Sequence, residues 1–484
     1  MKQLRVFSFT VVMLVVLVSG QTVFAVNGTV PPTIPQVGLD GASSMHGDIA
    51  SSDTSPLPGP GVADVDVVPR LLWAACPTML IRSDGKPFVL STSMLGRNPV
   101  VRLLKQRNGK EKARLSLEAG SLLGGVYACL DNQDRLVMVD GGQNLIRVKA
   151  EKKRFWFSTW WDLSIDESVS LLPAVTGHCG SGDCDAVVSI SAGADDTIWF
   201  ATQKSVVGIY DPRAPEGQNL SWLKLAEDER IDNSFSTTVD GRAAVVTSKA
   251  IYLLRQNYDN QAYIAWRHAY DAGPARKPGQ LSHGSGATPT FFGPATGTDY
   301  VMLTDNADGQ ISLIVLDSDD GRLVCQQPIF TAGVNSGTEN SAIGIGNTVI
   351  VASTYGYPYP QLPEGAGDSI PASADFAGGM IRVDINDCAS DPSCAAGTVV
   401  WENSVRSAAV PKLSTADEYI YTVERTASDA YYFTVIDSDT GAVRKQTKIG
   451  FGFFSDTLQM AGNIGINGVY WQGTLSGIVR IAPE

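Results

Sequence analysis

The sequence predicts an all-β protein, a β-propeller of seven four-stranded blades, on three observations. Beyond residue 66 apolar residues alternate or run in short stretches, with almost no helical period. The 48 glycines supply the many tight turns that numerous short strands need. A unit of strand, Asp-containing turn with Gly, and second strand recurs along the chain.

The recurring unit is clearest in three copies. "SLIVLDSDDGRLVCQQPIF" begins at Ser312, "YFTVIDSDTGAVRKQTKIG" at Tyr432, and "GMIRVDIN…GTVVWENSV" at Gly379. A looser copy, "VVGIYDPRAPEGQNLSWLKL", begins at Val206. Two strands around such a turn form a hairpin. Another strand pair precedes each hairpin ("TDYVMLTD", "NTVIVAS", "DEYIYTVE"), so the unit is a four-stranded blade. Blades are expected to begin near residues 125, 185, 231, 285, 338 and 407. The C-terminal "INGVYWQGTLSGIVRIA" and the early "NPVVRLLKQRNGKEKARLSLE" are expected to share one composite blade that closes the ring, leaving no free edge. The count is then seven, with six or eight as the alternatives.

The N-terminal "MKQLRVFSFTVVMLVVLVSGQTVFA" joins Lys2 and Arg5 to a short apolar run and a small residue at Ala25. It reads as a signal peptide over residues 1–25, which makes the mature chain secreted or periplasmic. No later stretch is long and apolar enough to span a bilayer as a helix. Residues 26–66, rich in Pro, Gly, Ser and Asp, read as a flexible arm that includes His46. Residues 67–484 form the single propeller domain.

Cysteine usage fits export. Cys179 with Cys184, and Cys388 with Cys394, enclose turn-forming residues and are expected to close small disulfide loops. Of the remainder, Cys76 is expected to pair with Cys129, leaving Cys325. A net charge of −13 argues against nucleic acid as a partner. Basic residues cluster locally at Arg97–Arg114 and at Lys152, Lys153 and Arg154. They read mainly as solvated hairpin edges, with an anionic partner as the rival. The aromatic "FWFSTWWD" (residues 155–162) reads as a buried outer strand.

The strand–D-x-x-x-G–strand unit resembles the repeat of the quinoprotein-like (PQQ-like) propeller superfamily. That resemblance implies the fold over roughly residues 70–484. In its quinone-binding dehydrogenases a Trp stands late in each repeat and adjacent cysteines often meet the cofactor. Here only Trp401 fits the first feature well and no Cys-Cys pair is present, so PQQ is not expected.

In a propeller the first strand of each blade lines the channel, so polar residues at blade starts converge. Glu339, Asn340 and Ser341 open one blade, and Asp232, Asn233 and Ser234 open another. Carboxylates mixed with amide oxygens are hard ligands, and Asp232, Asn233, Glu339 and Asn340 are the candidates to hold Ca²⁺. The competing reading is a hydrated polar channel wall. His283, at another blade start, is the candidate general base, against a plain surface role. Tyr355, Tyr357 and Tyr359 lie in a long Pro-rich loop expected to cover one channel mouth and to present tyrosines to a ligand.

Two functions follow. The first is a binding module for a protein, glycan or small molecule, acting through the loop face and channel. The alternative is a Ca²⁺-assisted hydrolase of ester or lactone type. A quinone-dependent dehydrogenase is the weaker third reading.

Overall fold

The computed structural model describes residues 28–35, 37–117, 126–179, 184–331, 335–363, 365–386 and 396–484. The expected signal segment and Cys388 and Cys394 lie outside the described residues. Among the described residues the strands assemble into eight sheets, each supplying one blade. Numbered in chain order, blades 1 to 7 cover residues 74–116, 129–170, 187–224, 236–269, 290–328, 343–403 and 412–451. Blade 8 combines the C-terminal strands with Val65–Leu71, which pairs antiparallel with Gly477–Pro483 as its outermost strand.

The six repeat-derived blade starts fall within a few residues of inner strands. The seventh, composite blade is corrected to two. The early pair belongs to a complete blade of its own, because Ala74–Ile81 and Pro87–Ser93 pair ahead of it. The C-terminal segment completes itself with Val65–Leu71 instead.

Alternating side chains from facing sheets meet between the blades. Each of the eight junctions holds its own apolar core. Cys76 lies in the core between blades 8 and 1, Cys129 in that between blades 2 and 3. That separation corrects their expected pairing, and both thiols are free, as is that of Cys325. Cys179 and Cys184 form the expected bridge.

The D-x-x-x-G turn has a physical reason. The carboxylate of Asp437 accepts the Thr440 N–H at 2.9 Å, and the Gly441 N–H closes on Asp437 O at 2.9 Å. Gly441 adopts φ +69° and lies under Trp401 of the preceding blade, where a Cβ would approach the indole to 2.6 Å. Trp401 Nε1 donates to Ser438 O at 2.9 Å in the same turn. Trp266 covers the turn at Gly321 in the same way, so the late-repeat tryptophan occurs at two junctions.

Part of the expected flexible arm is not loose. Residues 42–55 are mostly buried and run through the channel as a plug. Their carbonyls accept backbone N–H groups from six of the eight blades as the segment winds around the axis. Ala42 O meets Ile81 of blade 1, Ser43 O meets Leu130 of blade 2, and Ile49 O meets Thr237 of blade 4. Ala50 O then meets Phe291 of blade 5, Ser52 O meets Gly344 of blade 6, and Asp53 O meets Leu413 of blade 7. Inner strands as short as Ser236–Thr237 leave N–H groups without a strand partner, and the arm supplies it. Its low apolar content suits a wet, polar channel rather than a loose tail.

The plug is pinned by charge. His46 is buried against Asp53, whose Oδ1 accepts Lys412 Nζ and whose Oδ2 accepts Ser341 Oγ. Ser341, His46 and Asp53 are not a proton relay. Ser341 Oγ and Asp53 Oδ2 both lie at His46 Nδ1, at 2.8 and 3.2 Å, so the ring cannot carry a proton from one nitrogen to the other between them. The trio is a clamp.

Candidate functional site

Antiparallel strands place the loops before each inner strand and the loops between second and third strands on one face of the disk. Both kinds of loop shape the candidate site. The loop between Thr348–Ala352 and Met380–Ile385 of blade 6 is the long Tyr/Pro-rich insertion. It folds over the channel mouth as a lid. Gly356 N donates to Pro278 O at 2.9 Å, and Ile370 N to Arg276 O at 2.9 Å. The Arg276 guanidinium donates to Gln280 O at 2.9 Å and Gly367 O at 3.2 Å, tying the lid to the loop beneath it. On the far side Arg97 of blade 1 donates to Gln361 at 3.3 Å.

The tyrosines are not displayed as expected. Tyr355 and Tyr357 are buried and Tyr359 is half-buried. Tyr357 stands edge-on to Phe376 with centroids 5.2 Å apart, beneath the Arg425 guanidinium, and its hydroxyl donates to Asp456. The rings anchor the lid from below, because a long loop needs an apolar underside to stay seated. Burial and the Asp456 carboxylate push the Tyr357 phenol well up, so it stays a donor.

Under the lid the carboxylate–amide cluster partly assembles. Asn233 Nδ2 donates to Glu339 Oε1 at 3.4 Å and also to Gly286 O, while Tyr127 donates to Asn233 Oδ1 at 2.9 Å. Glu339 Oε2 is buried without a hydrogen-bond partner. Burial pushes the Glu339 carboxyl well above the usual range and the Asp232 charge adds to it, while the Leu281 backbone N–H, the Asn233 amide and Arg276 only partly oppose it. Asp232 stands close by but pairs with Arg230 at 3.0 Å. Asn340 turns away to Gln459 Oε1 at 2.9 Å, and Ser341 belongs to the plug clamp. The structure thus brings Asn233, Glu339 and Asp232 together and directs Asn340 elsewhere.

A cavity of about 190 Å³ opens beside this cluster. Gln203, Arg230, Asp232, Asn233, Ser248 and His283 form its polar wall, and Pro363, Gly365 and Ala366 of the lid its roof. His283 is exposed at the rim with Nε2 3.1 Å from Gly273 O. A carbonyl only accepts, so Nε2 carries the hydrogen and Nδ1 of the neutral ring is the basic nitrogen. Arg230 and Gln203 were missed by sequence reasoning. Arg230 had a signal, standing two residues before Asp232 in "RIDNS". Gln203 had none, since it belongs to the neighbouring blade.

No protein-family model matches the chain, and no curated protein matches it. Among solved structures it is similar to a europium-containing methanol dehydrogenase at 12% identity and a TM-score of 0.50, covering 92% of this chain and 98% of that chain. It is also similar to a quinohemoprotein alcohol dehydrogenase from Pseudomonas putida at 9% identity and a TM-score of 0.55, covering 92% of this chain and 80% of that chain. At such identities the likeness shows the fold, and the chain is a β-propeller.

Proposed function

We propose that this propeller is an exported binding module whose lidded cavity takes a small polar molecule. The observation that carries the reading is the cavity wall, where a cation, an anion, amides and a hydroxyl from two blades face about 190 Å³. Binding pockets for drug-sized ligands run from ~300 to ~1,000 Å³. This volume suits a molecule of monosaccharide or amino-acid size, held by paired donors and acceptors. The disulfide at Cys179–Cys184 agrees with a secreted or periplasmic setting.

The test is a thermal-shift panel of monosaccharides and free amino acids, followed by calorimetry on any hit. Asp232→Ala should weaken binding at least tenfold, and Pro363→Trp, which fills the roof, should abolish it. A hit whose affinity ignores both substitutions places the ligand elsewhere and defeats the reading.

One observation favours the hydrolase reading as a second choice: a buried, donor-less Glu339 oxygen beside Asp232 and Asn233. As they stand these residues do not make a calcium cage, because an N–H donor faces Glu339 and Arg230 holds Asp232. Calcium would need the amide to turn and the ion pair to open. Titration of metal-stripped protein with Ca²⁺, read by calorimetry, decides it. Binding lost in Glu339→Gln supports the metal site, and no heat in the wild type ends it.

A further inference from the structure

The stretch "EKKRFWFSTWW" is the place where the chain departs most from a propeller's needs. The outer hairpin of blade 2 pairs Asn144–Phe155 with Ser158–Ser170, strands of 12 and 13 residues. The matching strands of blade 3, Val206–Tyr210 and Leu220–Lys224, have 5 residues each. The extra length projects beyond the disk, and residues 151–160 are all exposed. This corrects the expectation of a buried outer strand, because no neighbouring blade reaches far enough to cover it.

At the tip Phe155, Trp156 and Phe157 are 67%, 76% and 96% exposed. Phe155 pairs with Ser158, so Trp156 and Phe157 form a two-residue turn. Such turns favour Asn-Gly, since left-handed backbone is easiest for small residues. Here Trp156 takes φ +52°. Two bulky aromatic residues at an exposed turn serve neither the turn nor the core.

Positive charge surrounds the base of this finger on a chain of net charge −13. Lys152, Lys153 and Arg154 lie on its first strand. Trp161, across from Lys152, carries Lys86 and Lys112 of blade 1 over its ring at 4.8 and 5.0 Å. Burial and the nearby Lys86, Lys105 and Lys152 hold the Lys112 ammonium below its usual range, a sign of crowded like charge. Acidic neighbours offset part of it: Asp162 pairs with Lys153 and Asp84 with Lys86. Aromatic rings flanked by lysine and arginine suit the bilayer interface, where rings sit among headgroups and cations meet anionic lipid.

We propose that this finger docks the propeller on an anionic bilayer surface, with Trp156 and Phe157 entering the headgroup layer and Lys152 and Arg154 meeting lipid phosphates. The turn between third and fourth strands lies on the face opposite the lid. Docking therefore leaves the lidded cavity open to solvent.

The experiment is co-sedimentation of the full mature chain with vesicles of phosphatidylcholine alone or with 30% phosphatidylglycerol. The wild type should bind the anionic vesicles at least tenfold more tightly than the neutral ones, and raised salt should weaken it. Trp156→Ser with Phe157→Ser, and separately Lys152→Glu with Arg154→Glu, should each cost at least tenfold with unchanged melting temperature. Quenching of tryptophan emission by brominated lipid should vanish in the aromatic variant. A wild type that binds neither vesicle, as a finger made for a protein partner would, overturns the proposal. Binding that survives both variants, or ignores lipid charge, overturns it as well.

Discussion

Lys412 Nζ donates to Asp53 Oδ1 at 3.0 Å with neither side chain exposed, joining the channel plug to the inner strand of blade 7. A buried pair of this kind adds little over an apolar replacement, but removing one partner strands a charge and costs about 3–5 kcal/mol. Asp53→Asn and Lys412→Met should each lower stability by that order in urea unfolding. The double variant should recover much of the loss.

The same pair sets an acid limit. Burial pushes the Asp53 carboxyl up, but Lys412 and His46 together bring it below its ordinary value of 3.8. A depressed carboxylate stabilises the fold above the unfolded value, and that contribution fades as pH falls through the folded one. Asp48, pushed up by burial, acts in the opposite sense. Hydrogen exchange of residues 42–55 should therefore quicken below pH 3.8 in the wild type, and that acid step should be missing in Asp53→Asn.

Glu339 carries the reverse sign. Its folded value lies above the ordinary 4.5, so the neutral acid is the form the fold prefers. Its stabilising contribution is complete below 4.5 and is lost as pH rises through the raised folded value. Glu339→Gln mimics the neutral acid. It should match the wild type near pH 4 and melt at a higher temperature as pH rises, a divergence that calorimetry would register. Equal melting at every pH would show that the carboxyl is not held neutral.

Gly441→Ala tests the blade 7 turn that packs under Trp401 of blade 6. The backbone there is left-handed and the new methyl would meet Trp401. The left-handed conformation alone costs a non-glycine residue about 1–2 kcal/mol, and the crowding adds to it. The expected result is a loss of about 2 kcal/mol or more in urea unfolding. Gly217, with φ +83° and open space around its missing side chain, serves as the control and should lose only the backbone part.

Arg276→Ala tests the lid. It removes charge-assisted bonds to Gln280 O and Gly367 O, of the kind worth about 1.5–3 kcal/mol each. Exchange across residues 353–378 should quicken while the blade cores stay protected.

The repeat told where six blades begin because Asp317–Gly321 and Asp437–Gly441 carry a turn whose chemistry is local. Side chain and backbone of the same five residues close it, so it can be read from spacing alone. The eighth blade was hidden because the matching turn of blade 1, Lys105–Gly109, closes Gly109 N–H on Lys105 O but carries lysine where the repeat has Asp. The plug was hidden for a different reason. "HGDIASSDTS" is polar and lacks a period, and its partners are supplied by inner strands far away in the chain. Blade phasing did bring Asp232, Asn233 and Glu339 together, since residues ahead of inner strands share one mouth. It did not reveal that Arg230 would hold Asp232 or that Asn340 would turn to Gln459, because side-chain direction within a mouth is settled by packing.

The plug has a consequence for how the molecule comes together. Asp53 waits for Lys412, 359 positions downstream, and its neighbours wait in turn for blades 4 to 6. During vectorial synthesis the earliest of these segments can settle only when nearly the last is present. Val65–Leu71 likewise waits for Gly477–Pro483. Sealing the bore and circularising the disk are thus one late event built from contacts of very long sequence separation, which makes for slow, all-together assembly.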